Sequence, residues 1–168
     1  MRALPVLAVI HGRCYGGGMQ IALGCDFRFA DAKAELSIME AKWGLVPDMS
    51  GSVTLRELLP MDVLMELAMT ARIVNAQQAR DLGLVTHVAD DPMAAAEKLV
   101  AEIKTRSPDA VSGIKSLFHK TWNASVRRAF AVESKLQMRM FATRNQREAA
   151  KANFEKRAPK YSNRKVDG

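Results

Sequence analysis

The sequence predicts an α/β fold, and three observations carry that prediction. The first is the continuous apolar run Pro5-Val6-Leu7-Ala8-Val9-Ile10, whose lack of alternation fits a strand buried on both faces. The second is Gly16-Gly17-Gly18, followed by Met19-Gln20-Ile21-Ala22-Leu23, which reads as a turn into a helix. The third is a change of character after Pro92. From there apolar residues such as Met93, Ala96, Leu99, Val100 and Ile103 recur at helical spacing.

The remaining elements follow in order. Cys25 to Ala30 reads as a second strand. Residues 50–59 read as a helix that Ser50 can cap, and Pro60 breaks it or starts the next. Asp62 to Thr70 is a helix with Val63, Leu64, Leu67 and Ala68 on its apolar side. Arg72-Ile73-Val74 is a short extended piece, and Asn75 can cap a helix from Ala76 to Leu82 that Gly83 ends. Leu84 to Val88 is a strand. Helices are then predicted over 92–105, 109–121, 124–142 and 145–157, punctuated by Pro108 and Asn123. Pro159 to Lys165 is expected to fray. The chain is expected to divide into a mixed core, 1–90, and a helical region, 91–168. There is no internal repeat and no low-complexity segment.

The chain has 168 residues, 48% hydrophobic and 26% charged, values that fit one soluble domain with a core. No apolar run is long enough to span a membrane and no leader is read, so a cytoplasmic protein without a membrane partner is expected. Two cysteines, Cys14 and Cys25, argue against a disulfide framework. Each reads as a small buried hydrophobe, although Cys14, beside the glycine turn, is a candidate nucleophile without a supporting motif. The charge is uneven. Residues 1–100 hold nine Lys/Arg against twelve Asp/Glu, net −3, and residues 101–168 hold sixteen against six, net +10. A basic half suits a polyanionic partner or a phosphorylated ligand, or it is a solvated helical surface. His87 and His119 have no partner at metal-ligand spacing.

The glycine run places backbone where a Cβ would block close approach. The first amides of a helix lack intrahelical partners and sit at the positive end of its dipole. Such a turn suits a phosphate, a carboxylate or an oxyanion. No Lys-Ser/Thr follows, so it is not a phosphate loop, and Gln20-Ile21 stands where a dinucleotide fingerprint needs its last glycine.

The following motifs sharpen the reading: His11-Gly12 at the strand end, the glycine run, and Cys25-Asp26 opening the next strand. They continue with Ala34-Glu35-Leu36-Ser37-Ile38-Met39-Glu40, Trp43-Gly44-Leu45-Val46-Pro47-Asp48 and Ser50-Gly51-Ser52. This succession resembles the crotonase superfamily, also called the enoyl-CoA hydratase/isomerase family. Leu82-Gly83-Leu84-Val85 and Phe154-Glu155-Lys156-Arg157-x-Pro159 extend the resemblance over nearly the whole chain. It implies a ββα spiral core with a C-terminal helical trimerisation region, as a homotrimer or hexamer. It also implies chemistry on a coenzyme A thioester that needs no metal or redox cofactor. Similar enzymes carry a further segment before the first strand, which supplies part of the acyl-CoA pocket and one of two oxyanion amides. Met1-Arg2-Ala3-Leu4 leads straight into that strand here.

The resemblance also assigns roles. The amide of Gly17 is an oxyanion donor, and Gly16, Gly18, Gln20 and Trp43 are substrate-binding. Hydratases of the family use two glutamates; here the first position is Gln20 and the second, Glu40, is retained. Asp48 stands where hydratases usually have glycine. A Glu and an Asp at this spacing resemble the dienoyl-CoA isomerase branch, although that branch usually has Asp at the Gln20 position. Isomerisation is therefore expected to exceed hydration. Without the resemblance Glu40 would read as a surface helix residue and Asp48 as a turn or cap residue. Trp43 and the methionines read as core and acyl-pocket lining. Lys156 and Arg157 are expected near the phosphates of coenzyme A, or as a solvated basic helix end. An inactive acyl-CoA-binding or oligomerisation paralogue remains a rival, and nucleic-acid binding by the basic helices is not expected.

Overall fold

The computed structural model describes residues 4–164. The chain falls into two compact units. One is Val6–Lys98; the other holds the residues from Leu99 onward together with the amino-terminal segment ending at Pro5. The division lies inside a helix, after Lys98, whereas the sequence suggests a boundary after Asp90.

In the first unit the strands are short: β1 (Leu7–Ile10), β2 (Arg13–Tyr15), β3 (Phe27–Ala30) and β4 (Glu35–Ser37). Gly12, at φ 60, turns β1 into β2. The helix α1 (Gly17–Leu23) follows β2. The chain then repeats the pattern: β3 lies parallel to β1, with Leu7 opposite Phe27, and β4 lies parallel to β2, with Arg13 opposite Glu35. Each strand thus stacks on its counterpart from the previous turn, which is the ββα spiral. After α2 (Gly51–Thr54) and α3 (Met61–Thr70) comes β5 (Val74–Asn75), antiparallel to β4. Then come α4 (Ala76–Asp81) and β6 (His87–Val88), which closes on β3. Asn75 caps α4, as the sequence suggests, and Gln78 completes a reciprocal capping box with it. Ser50 occupies the cap position of α2 with a left-handed backbone, φ 71, and no side-chain cap bond.

Met19, Leu36, Ile38, Leu55, Leu67, Val74 and Leu84 make the core of this unit. Burial departs from expectation in three places. β1 is only half-buried apart from Ile10, because it is the edge strand of the β1-β3-β6 sheet. Among the methionines Met19 is in the core, while Met61, Met65 and Met69 stand out from α3 and Met93 is also exposed. Trp43 is not core: it ends a 3-10 helix over Glu40–Trp43 and is 70% exposed, with Lys42 Nζ 5.9 Å from the centre of its ring.

The helix α5 (Pro92–Lys104) leads into α6 (Pro108–Thr121), α7 (Val126–Phe141) and α8 (Arg144–Phe154). Ser107, Ser125 and Thr143 cap the last three through their side chains. The interior here is mainly small or polar: Asp109, Ser112, Ser116, Asn145 and Ala152 are buried, with Leu136 among them. The segment after α8 is held, not frayed. Asn145 donates to the carbonyl of Ser162 and accepts from its N–H, and Glu148 accepts from the N–H of Lys160. Lys165 lies outside the described residues.

Candidate active site

Three segments of the first unit meet at the start of α1. Gly16, at φ 51 and ψ −125, makes the turn out of β2, and its N–H donates to the carbonyl of Ser37 at the end of β4 (2.9 Å). That bond sets the glycine turn beside the 3-10 helix that opens with Glu40. A Cβ on Gly16 would lie 3.5 Å from Glu40 Oε1. Gly17 and Gly18 contribute the first amides of α1, which have no intrahelical acceptor. A Cβ on Gly17 would come within 2.6 Å of Met49 Sδ, so Met49 lies against the spot where the backbone is bare.

Glu40 is 8% exposed. Its Oε1 accepts a bond from Gln20 Nε2 at 2.5 Å, and its buried Oε2 has no protein partner. A buried carboxylate oxygen without a partner is uncommon. Gln20, 1% exposed, uses its other polar atom as well: Oε1 accepts from the N–H groups of Met49 and Gly51, both at 2.9 Å. A Cβ on Gly51 would fall 2.8 Å from that oxygen, so glycine is needed there for the close approach.

Thus Gly16, Gly17, Gln20 and Glu40 share one cluster, joined by Ser37, Met49 and Gly51. Sequence reading passed over these last three as site residues, although the small-residue turn Ser50-Gly51-Ser52 was a usable signal. Asp48 lies in an irregular, exposed segment. Its carboxylate takes no part in the Gln20–Glu40 bonds; its backbone neighbour Met49 does. Cys14 is half-buried and burial pushes its thiol up, the opposite of what a nucleophile needs. His11 is exposed beside Asp31, Nδ1 to Oδ2 3.5 Å. Among the described residues no group of three or more His, Cys, Asp or Glu is placed to hold a metal ion, and no helix is long and apolar enough to cross a membrane.

In the helical unit Lys156 is exposed, at φ 50. Arg157 is already engaged. Its Nε donates to Glu155, and Nη1 and Nη2 donate to the two oxygens of Glu148. That engagement pushes the guanidinium up and, with the Lys160 N–H, holds the Glu148 carboxyl down at about 2. Most of the Arg157 donors are thus engaged within the chain.

Comparison with known proteins places this geometry in context. The model of the family described as enoyl-CoA hydratase/isomerase matches residues 2–164. Enoyl-CoA hydratase EchA19 of Mycobacterium tuberculosis is 32% identical over 162 residues, 95% of this chain and 61% of that protein. Carnitinyl-CoA dehydratase of Proteus mirabilis is 31% identical over 166 residues, 95% and 64%. The crystal structure of an enoyl-CoA hydratase from Polaromonas sp. JS666 superposes with a TM-score of 0.90 at 32% identity, covering 95% of this chain and 63% of that one. The chain thus spans less than two thirds of the length of these relatives. Its fold is the α/β crotonase fold.

Proposed function

The chain belongs to the enoyl-CoA hydratase/isomerase family, and within it we propose an enzyme that migrates the double bond of an unsaturated acyl-CoA in preference to adding water. One observation carries the preference. Position 20 holds a carboxamide whose oxygen is filled by two backbone N–H groups and whose nitrogen is bonded to Glu40. Hydration in similar enzymes uses two carboxylates, one to activate water and one to protonate carbon. Gln20 cannot exchange protons in that way.

In this reading Oε2 of Glu40 takes a proton from a carbon next to the polarised unsaturation. The thioester oxygen then carries the developing negative charge. The Gly17 amide is one donor to it, and similar enzymes draw the second from a segment preceding the first strand. Losing one such donor costs on the order of 3–4 kcal/mol. Asp48, as the second acid, gives its own proton to a carbon farther along the acyl chain, and exchange with solvent then returns Glu40 and Asp48 to their starting states. The exposed aromatic groups of α6 and α7 favour a homotrimer, or a hexamer of paired trimers. Lys156 remains a candidate contact for the phosphates of coenzyme A.

The test is ultraviolet detection of double-bond migration beside water addition, over a panel of enoyl- and dienoyl-CoA substrates. Migration is expected to be faster. Glu40→Gln is expected to lower it by about 10²–10⁴-fold, the usual range for a general acid–base group, and Asp48→Asn by less. Faster hydration that survives Asp48→Asn would exclude the isomerase. Tight binding of acyl-CoA with neither reaction would favour an inactive binding paralogue.

A further inference from the structure

We propose that Gln20 is the positioning residue of this site: it fixes the carboxylate of Glu40 and the loop 47–51 together, and does not bind substrate. The proposal rests on the reading of Glu40 as the proton-transferring group. It departs from the sequence expectation, in which Gln20 contacts substrate.

The bonding of the carboxamide carries the argument. An amide oxygen has two lone pairs and an amide nitrogen two N–H donors. Both lone pairs of Gln20 are taken, by Met49 and Gly51, and one N–H is spent on Glu40. The side chain is almost wholly buried, which leaves a substrate little of it to touch.

The loop is shaped to receive that oxygen. Ser50, between the two donating residues, has φ 71, a left-handed conformation unusual for a side chain other than glycine. One left-handed residue between two N–H groups makes a nest, a concavity in which both amides face one acceptor. Here the acceptor is internal. The nest is filled by Gln20, and Gly51 is needed because a Cβ would reach 2.8 Å from the bound oxygen.

The effect on Glu40 is directional. With Oε1 held by Gln20, Oε2 is left as the oxygen free to meet a proton. A glutamate at position 20 would still fill the nest, but it would set a second carboxylate against Glu40 at bonding distance. Two carboxylates that close must share a proton. The amide holds Glu40 without that demand.

The experiment combines amide hydrogen exchange with steady-state kinetics on the whole chain and three variants. In Gln20→Leu, exchange at Met49 and Gly51 is expected to rise about tenfold or more, with the amides of β4 and α4 unchanged, because only the local opening is affected. If Gln20→Leu fails to fold, Gly51→Ala tests the same bonds from the loop side and is expected to expose the same amides. Gln20→Glu is expected to restore protection at both, since an acceptor returns to the nest. In Gln20→Leu, kcat for double-bond migration is expected to fall by about 10²-fold, the scale of a misplaced catalytic group, with KM little changed. Wild-type exchange rates at Met49 and Gly51 in Gln20→Leu and Gly51→Ala would overturn the clasp. A raised KM with kcat intact would overturn positioning in favour of substrate contact. A wild-type protein without turnover would sink the isomerase reading instead, while the exchange pattern would still decide the clasp.

Discussion

Gly16 carries the backbone conformation on which the turn into α1 depends. At φ 51 and ψ −125 it sits in a region that residues with a Cβ rarely enter. A Cβ there would make only an ordinary contact with Glu40, 3.5 Å from Oε1. The cost of Gly16→Ala therefore lies in the backbone, and about 1–3 kcal/mol is expected. Urea titration with the slope unchanged and the midpoint lowered checks it; an unchanged midpoint would mean that the turn relaxes without strain. At this scale the glycines were legible from residue type alone, whereas Glu40 was singled out only through the family resemblance. Gln20 did not show its role, because its oxygen is bound by backbone amides some thirty positions along the chain, and backbone donors leave no signature in a sequence. Trp43 was misread for a related reason. Its side chain says apolar, but the 3-10 helix turns it outward.

Among the elements, helices were read more closely than strands. Their periodicity and punctuation are local: Asn75 announces the start of α4 and Pro108 that of α6. Strand pairing is not local, and the half-buried state of β1 follows from its edge position, which no property of Pro5 to Ile10 encodes. The segment after α8 makes the same point. It reads as frayed from composition, yet Asn145 and Glu148 hold it. Glu148 gives a pH test of that hold. Arg157 and the Lys160 N–H lower its carboxyl to about 2 from its ordinary 4.5. A folded-state value below the unfolded one contributes stability that is fully present above about 4.5 and is lost as pH falls through about 2. The pair is partly open to water, which keeps the contribution modest. The gap in urea midpoint between wild type and Glu148→Gln is expected to be steady near neutral pH and to close across that acid window. A gap independent of pH would show that the carboxylate charge is not what holds the segment.

For the whole molecule, the distribution of apolar and polar groups in the helical unit decides what to expect in solution. Its interior is mainly small and polar side chains, Asp109, Ser112, Ser116 and Asn145, while Phe118, Trp122, Phe130 and Phe141 are each more than half exposed. Phe118 and Trp122 pack edge to face, their centres 6.5 Å apart, and Val126 and Phe130 stand one turn apart on α7. Leu136, on the same helix as Phe130 and Phe141, is buried instead, which narrows the exposed set to the aromatic residues and their neighbours. We read these exposed apolar groups as an interaction surface, and burying each aromatic ring contributes on the order of 1.5–3 kcal/mol. The same unit carries most of the positive charge, so association through charge and association through apolar contact must be told apart. Light scattering is expected to give three or six times the 18.5 kDa chain mass, hardly changed by added salt, because apolar burial is not screened. Paired substitution Phe130→Ser and Trp122→Ser is expected to return the monomer. Binding to RNA, by contrast, is expected to be weak and to fall steeply with salt, as phosphate contacts release counterions. A stable monomer at micromolar concentration, or assembly that dissolves in salt while RNA binding persists, would assign the helical surface to a polyanion and not to further copies of the chain.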